Sequence, residues 1–284
     1  MSRSALVLAL CYASGPAVAE VRPASLASKA LGREVAALVQ LPPSYEKSPG
    51  RRFPYVIALH GLFESPSFWE RRGLSAVLDR LWADGRLPEF VMVAVNGDRS
   101  FFVNSPAGAY EDLVTQDTPA WIEATFRVRQ GREARGLWGV SMGGYAALRI
   151  ALGHPEAFLA VSTHSAMLLE GIPTREQGAG RWQMDAFRGV FGDPIDAALW
   201  SVNDPLRLAG RADPKTAPAL RFDCGAQDRY GLAKGNQALH ATLQARGVKH
   251  EFALSPGDHG YEYVLSVAEA GLRFLGAALT TSSR

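Results

Sequence analysis

Gly136-Leu137-Trp138-Gly139-Val140-Ser141-Met142-Gly143-Gly144 leads from a short apolar run, through a serine flanked by glycines, into the alanine-rich stretch Tyr145 to Leu152. The G-x-S-x-G match at 139–143 is weak by itself; its setting carries the weight. Gly136 to Val140 predicts a strand and Met142 to Leu152 a helix, so the serine falls on a sharp strand–turn–helix connection that holds its hydroxyl clear of a sheet. Small residues are needed at 139 and 143 because a Cβ there would strike the adjoining backbone, and Gly144 lets the helix start close to the sheet. The helix N-terminus then lies beneath the serine, where its dipole favours a developing negative charge.

Outward from this turn the chain alternates. Val35 to Leu41 (stopped by Pro42-Pro43), Phe53 to Leu59, Phe90 to Val95, Phe158 to Ser162, Leu220 to Cys224 and Glu251 to Leu254 read as strands. Nearly continuous apolar runs such as Phe53 to Leu59 suit buried parallel strands. Helices are expected from a Ser67 cap to about Ala83, from Tyr110 to Phe126, from Met142 to Leu152 and from Tyr261 to Leu279. Strands alternating with helices predict an α/β fold, a mostly parallel central sheet with helices on both faces. Residues 20–284 read as one domain, and Gly171 to Pro218, rich in Gly, Pro and Asp, as an insertion beside the site.

Composition bounds the function. The 284 residues are 47% hydrophobic and 20% charged, an ordinary globular balance. Thirty basic and 28 acidic residues leave a formal charge of +2 with no basic stripe, which argues against nucleic acid as a partner. Residues 1–19 read as a secretory signal: Arg3, the apolar run Ala5 to Ala13, then Ala17-Val18-Ala19 as an A-x-A cleavage site. Cleavage there would remove Cys11 and leave Cys224 alone, with no internal disulfide. A periplasmic or secreted protein is expected. No other apolar run is read as approaching the roughly 18 residues of a membrane span.

A serine hydroxyl needs a base to take its proton. In folds built on such an elbow, an acid and then a histidine follow the serine along the chain. That order removes His60. His154 sits at a helix end before Pro155, His164 comes too early for an acid to precede it, His240 lies in a helical run, and His250 opens the last strand. His259 lies in Ser255-Pro256-Gly257-Asp258-His259-Gly260, a loop between strand and helix, and is the expected base. For the acid, Asp223 is still within its strand; Asp228, in the following loop, is favoured, with Asp223 left as a structural acceptor for loop amides. Two backbone N–H groups are expected to bind the oxyanion, those of Met142 and of Leu62 in the turn His60-Gly61-Leu62-Phe63.

Leu59-His60-Gly61-Leu62, Val95 to Ser105, Gly139 to Tyr145, Asp223 to Asp228 and Asp258-His259-Gly260-Tyr261 occur in this order. Over roughly Val35 to Leu279 the chain resembles the putative esterase family of α/β-hydrolases, which takes in S-formylglutathione hydrolases, feruloyl and acetylxylan esterases, siderophore esterases and mycolyltransferases. The resemblance implies a serine ester hydrolase with Ser141, Asp228 and His259 as its triad and Leu62 and Met142 as its oxyanion donors. Acyl transfer to a sugar hydroxyl is the alternative, and a non-catalytic binding protein on the same scaffold a remote one. The signal peptide separates this chain from the cytosolic esterase D branch. No nucleotide, metal or other cofactor motif is present. A small-molecule ester, apolar or aromatic in its acyl part or an acylated sugar, is the expected substrate. Trp182, Met184, Phe187, Phe191 and Trp200 of the insertion are expected to wall its pocket, while Phe101, Phe102 and Trp138 could line a pocket or pack the core.

Overall fold

The structure is a computed structural model that describes residues 19–174 and 181–281, with the side chains of 181–183 and 281 left aside. The expected signal segment, apart from Ala19, and the Trp182 side chain therefore lie outside the described residues. Among the described residues one sheet has eight strands: β1 (Glu20–Ser28), β2 (Arg33–Leu41), β3 (Tyr55–Leu59), β4 (Val91–Val95), β5 (Arg135–Val140), β6 (Ala160–His164), β7 (Ala219–Gly225) and β8 (His250–Ser255). Their spatial order is β1-β2-β4-β3-β5-β6-β7-β8. β2 runs antiparallel to β1 and to β4, and every neighbouring pair from β4 to β8 is parallel.

Side chains alternate across a sheet, and both faces of its centre are covered. Ile57, Leu59, Val93 and Val95 face one apolar core with Tyr145, Leu148 and Ile150 of α5 (Met142–Gly153). Val56, Ala58, Met92 and Ala94 face the other, with Phe68 and Trp69 of α1 (Phe68–Arg71), Leu78 and Leu81 of α2 (Leu74–Ala83), and Leu272 and Leu275 of the final helix, Tyr261–Thr281. Strands buried on both sides favour unbroken apolar runs, which is why β3 and β4 were legible as continuous runs.

In its elements the structure differs from the sequence reading at several places. Glu20–Ser28 was not read as a strand; it is a largely solvent-facing edge strand containing Pro23, paired along its whole length with β2. The helix expected from Ser67 to Ala83 breaks in two at Gly73, whose φ of 81° is left-handed, and Ser67 makes no capping bond. The stretch Tyr110 to Phe126 is two short helices, α3 (Tyr110–Asp112) and α4 (Thr118–Thr125), joined by a wide turn, Leu113–Asp117, just before Pro119. Proline offers no N–H to the preceding turn and crowds its carbonyl, so the ladder widens there. Lastly, Tyr261–Thr280 is long and apolar enough by composition to cross a membrane, with mean hydropathy 1.2, contrary to the sequence reading; here it packs on the sheet as a core helix.

One buried cluster ties the connection after β4 to α5. Glu111 accepts from Arg149 Nη1 at 2.5 Å and contacts His154, while Arg149 Nη2 donates to the Phe102 carbonyl at 2.7 Å. Burial would raise the Glu111 carboxyl, but the His154 hydrogen bond and the Arg149 charge hold it down at about 2. The same hydrogen bond raises His154 against the opposing effect of burial. A depressed carboxyl contributes stability above its ordinary 4.5 that is lost as pH falls towards 2, whereas a raised imidazole contributes below its ordinary 6.5 and loses this as pH climbs through its raised value. The Tm difference between wild type and His154→Gln should therefore be largest between those two ordinary values and shrink on either side. A difference independent of pH would contradict this account.

Candidate active site

The elbow has the geometry that the glycine spacing demands. Ser141 sits between β5 and α5 at φ 55°, ψ −115°, a strained conformation for a residue with a side chain. The packing around it leaves no room for Cβ atoms: one added at Gly139 would stand 2.2 Å from the Gly143 carbonyl oxygen, and one at Gly143 would stand 2.0 Å from that of Leu59. The strand, the turn and the helix start are thus pressed together, and the serine is forced out to the carboxyl end of the sheet.

Two further loops meet it there. His259 follows β8 and Asp228 follows β7. His259 Nδ1–H donates to Asp228 Oδ2 at 2.8 Å, which leaves Nε2 to accept from the Ser141 hydroxyl at 3.1 Å. Asp228 Oδ1 also accepts from the Tyr230 N–H at 2.9 Å, and the Cys224 thiol approaches Oδ2 at 3.7 Å. Burial, and then the Asp228 charge, push that thiol up, so Cys224 stays protonated as a weak donor. The Tyr230 ring stands edge-on to the His259 imidazole at 4.8 Å between centroids.

Leu62 and Met142 both flank the serine. Met142 opens α5, so its N–H has no acceptor within the helix. The Gly61 position lies against Ser141, a Cβ there being 3.6 Å from that of the serine, and Leu62 follows it in the cleft wall. His60 holds this turn from behind. The Gly97 N–H donates to its Nε2 at 2.9 Å, so its Nδ1–H donates to the Gly61 carbonyl at 2.8 Å. Burial lowers its pKa, in keeping with a neutral imidazole that joins the turns after β3 and β4.

Asp223 is placed apart from the serine, but it is not the acceptor for loop amides that the sequence suggested. It accepts from His164 Nδ1–H at 2.9 Å, Arg221 Nη1 at 2.7 Å and the Tyr263 hydroxyl at 3.0 Å, all inside the core. His164 is the last residue of β6, fully buried, not a loop residue.

The cleft over Ser141 has a volume of about 400 Å³. Leu62, Val140, Met167, Tyr230, Tyr261 and Val264 give it an apolar lining, with Glu64 at one edge already paired to Arg71 and Arg72. Phe63 stands between it and a second cleft of about 460 Å³ that contains Asp98, Arg99 and Asp185. Phe63 has φ 67° and is 60% exposed, with the Arg99 guanidinium 4.6 Å over its ring. Among the described residues the expected aromatic wall is not there. Phe187, Phe191 and Trp200 are buried against one another, with Phe101 against Phe187 and Phe191, fastening the insertion to the domain; Met184 is buried too, and Phe102 and Trp138 are likewise core. The lining residues Met167, Tyr230 and Tyr261 were missed because each is an unremarkable side chain next to a strand end, and only the convergence of loops brings them to one place.

Sheet order, elbow and the meeting of three strand-end loops define an α/β-hydrolase. The chain belongs to the Putative esterase family, whose model matches residues 28–267. It is 28% identical to an S-formylglutathione hydrolase of Paracoccus denitrificans, covering 63% of this chain and 65% of that one. A diacylglycerol acyltransferase/mycolyltransferase, Ag85B of Mycobacterium leprae, is 30% identical over 43% of this chain and 40% of its own. Among solved structures a ferulic acid esterase superposes with TM-score 0.78 at 26% identity, covering 92% of this chain and 99% of that one. The chain spans between 40% and 65% of the length of the first curated relatives it matches.

Proposed function

We propose that this protein is a serine carboxylesterase working through an acyl-enzyme. The observation that carries the reading is the continuous relay from Asp228 through His259 to Ser141, at 2.8 and 3.1 Å, on the floor of an open cleft. His259 takes the Ser141 proton as Oγ attacks the ester carbonyl, and the Leu62 and Met142 N–H groups receive the oxyanion. The imidazolium, held in orientation by Asp228, returns its proton to the leaving alkoxy oxygen. Water, deprotonated by His259, then releases the acid and regenerates Ser141.

Hydrolysis is the leading reading and acyl transfer the alternative: the same triad serves both, and the part-exposed His259 can activate water or a sugar hydroxyl, so the product decides between them. The apolar lining and the paired Glu64 favour a neutral ester, apolar or aromatic in its acyl part or an acylated sugar. We place the protein in the periplasm or outside the cell, on the strength of the A-x-A site ending at Ala19, one residue before β1 begins. A panel of acetyl, butyryl, octanoyl and feruloyl esters, run with and without a sugar acceptor, tests the reading. Acid release from at least one ester is expected, with little diversion to the sugar. Acylated sugar as the main product would turn the assignment to a transferase.

A further inference from the structure

The loops that bring Asp228 and His259 together are joined by more than their own hydrogen bond. The parallel pairing of β7 with β8 ends at Gly225 and Ser255, yet the two chains stay bonded beyond it. The Ala226 N–H donates to the Ser255 carbonyl at 2.8 Å and the Gln227 N–H to that of Gly257 at 2.9 Å, while the Gly257 N–H donates to Gln227 Oε1 at 2.8 Å. Asp258 then closes the seam. Its Oδ1 accepts from the Arg229 N–H at 2.7 Å and from the His259 N–H at 2.6 Å, and its Oδ2 meets the Arg229 guanidinium. One carboxylate oxygen thus binds the backbone of the residue after Asp228 and the backbone of His259 itself.

Fold stability does not account for this arrangement. The Arg229 and Asp258 side chains are 60% and 41% exposed, and solvated ion pairs contribute only about 0–1 kcal/mol. Substrate contact does not account for it either, since Asp258 lies behind His259, in a hollow with Gly257, Tyr263 and Ser266, and is not among the residues lining the Ser141 cleft. What the two backbone bonds fix is the offset of one loop against the other. That offset sets the distance between His259 Nδ1 and Asp228 Oδ2.

We propose that Asp258 is a positioning residue that staples the base loop to the acid loop and so holds His259 in line with Asp228 and Ser141. The proposal rests on the esterase reading for its kinetic consequence, but the His259–Asp228 alignment can be measured without turnover. Asp258→Ala removes both backbone acceptors. Asp258→Asn keeps one acceptor oxygen for the two backbone N–H groups and gives up the charge and the oxygen that meets the Arg229 guanidinium, and Arg229→Ala removes the guanidinium while leaving its N–H in place. Misplacing a catalytic group by an ångström costs about 100-fold, so kcat of Asp258→Ala is expected to fall by about 10- to 100-fold with KM within about twofold. Asp258→Asn should recover most of the loss, and Arg229→Ala should lose less than Asp258→Ala. In proton NMR, the hydrogen-bonded Nδ1 proton of His259 should be visible in wild type and Asp258→Asn and be lost or broadened in Asp258→Ala, with near-ultraviolet circular dichroism confirming that each variant is folded. The staple is overturned by an unchanged Nδ1 resonance in folded Asp258→Ala, by kcat within twofold of wild type, or by Arg229→Ala and Asp258→Asn matching the alanine variant. A wild-type protein that shows the Nδ1 resonance but turns over no ester would instead count against the esterase reading while leaving the staple supported.

Discussion

Ser141→Ala should lower kcat on a short p-nitrophenyl ester by about 10⁵-fold, because loss of a nucleophile disables the whole relay and not one part of it. The residual rate would come from substrate binding and the oxyanion donors, which the substitution leaves in place. The protein should stay folded: among the described residues the hydroxyl's side-chain partner is His259, and the strained backbone at 141 is set by the Gly139, Gly143 and Leu59 contacts around it. Labelling by a fluorophosphonate should disappear together with turnover. Activity within tenfold of wild type in a folded Ser141→Ala protein would sink the nucleophile assignment, whatever the family.

The two aspartates should separate cleanly. Asp228→Asn should lower kcat by about 10⁴-fold, because an amide facing Nδ1 favours the wrong imidazole tautomer. Its effect on Tm should be small, since the neutral side chain still accepts from the Tyr230 N–H. Asp223→Asn should do the reverse. It leaves Arg221, only 10% exposed, and the buried His164 without their carboxylate. Breaking a buried ion pair in this way costs about 3–5 kcal/mol, while the relay to Ser141 is untouched. Thermal melts and kcat measured on the two variants decide the matter; a stable, inactive Asp223→Asn beside an active Asp228→Asn would reverse the assignment.

Ser141, its glycines and the strands around it were legible in the sequence because their constraints are local. A sharp turn needs glycine at 139 and 143, and a strand buried on both faces needs an unbroken apolar run, so Gly139 to Gly143 and Tyr55 to Leu59 disclose their environment directly. Chain order, together with a place in the loop after a strand, singled out His259 and favoured Asp228 as candidates, because loops at strand ends of a parallel sheet converge at one edge. The edge strand Glu20–Ser28 carries no unbroken apolar run, since it buries little beyond Leu26 and Ser28, and it exists through its pairing with β2. The Phe187, Phe191 and Trp200 group shows the opposite difficulty: three aromatic side chains suit a substrate wall and a packing cluster equally well, and the contact of Phe187 and Phe191 with Phe101, far away in the chain, decided for packing. The partners of Asp223 and the seam through Asp258 likewise depend on side chains from separate strands and loops meeting at hydrogen-bond distance. The sequence by itself therefore determined the elbow, the parallel sheet and the chain order of the candidate site. Tertiary structure decided which polar groups meet and what lines the cleft, because hydrogen bonding and burial are properties of distance in space, which spacing along the chain does not encode.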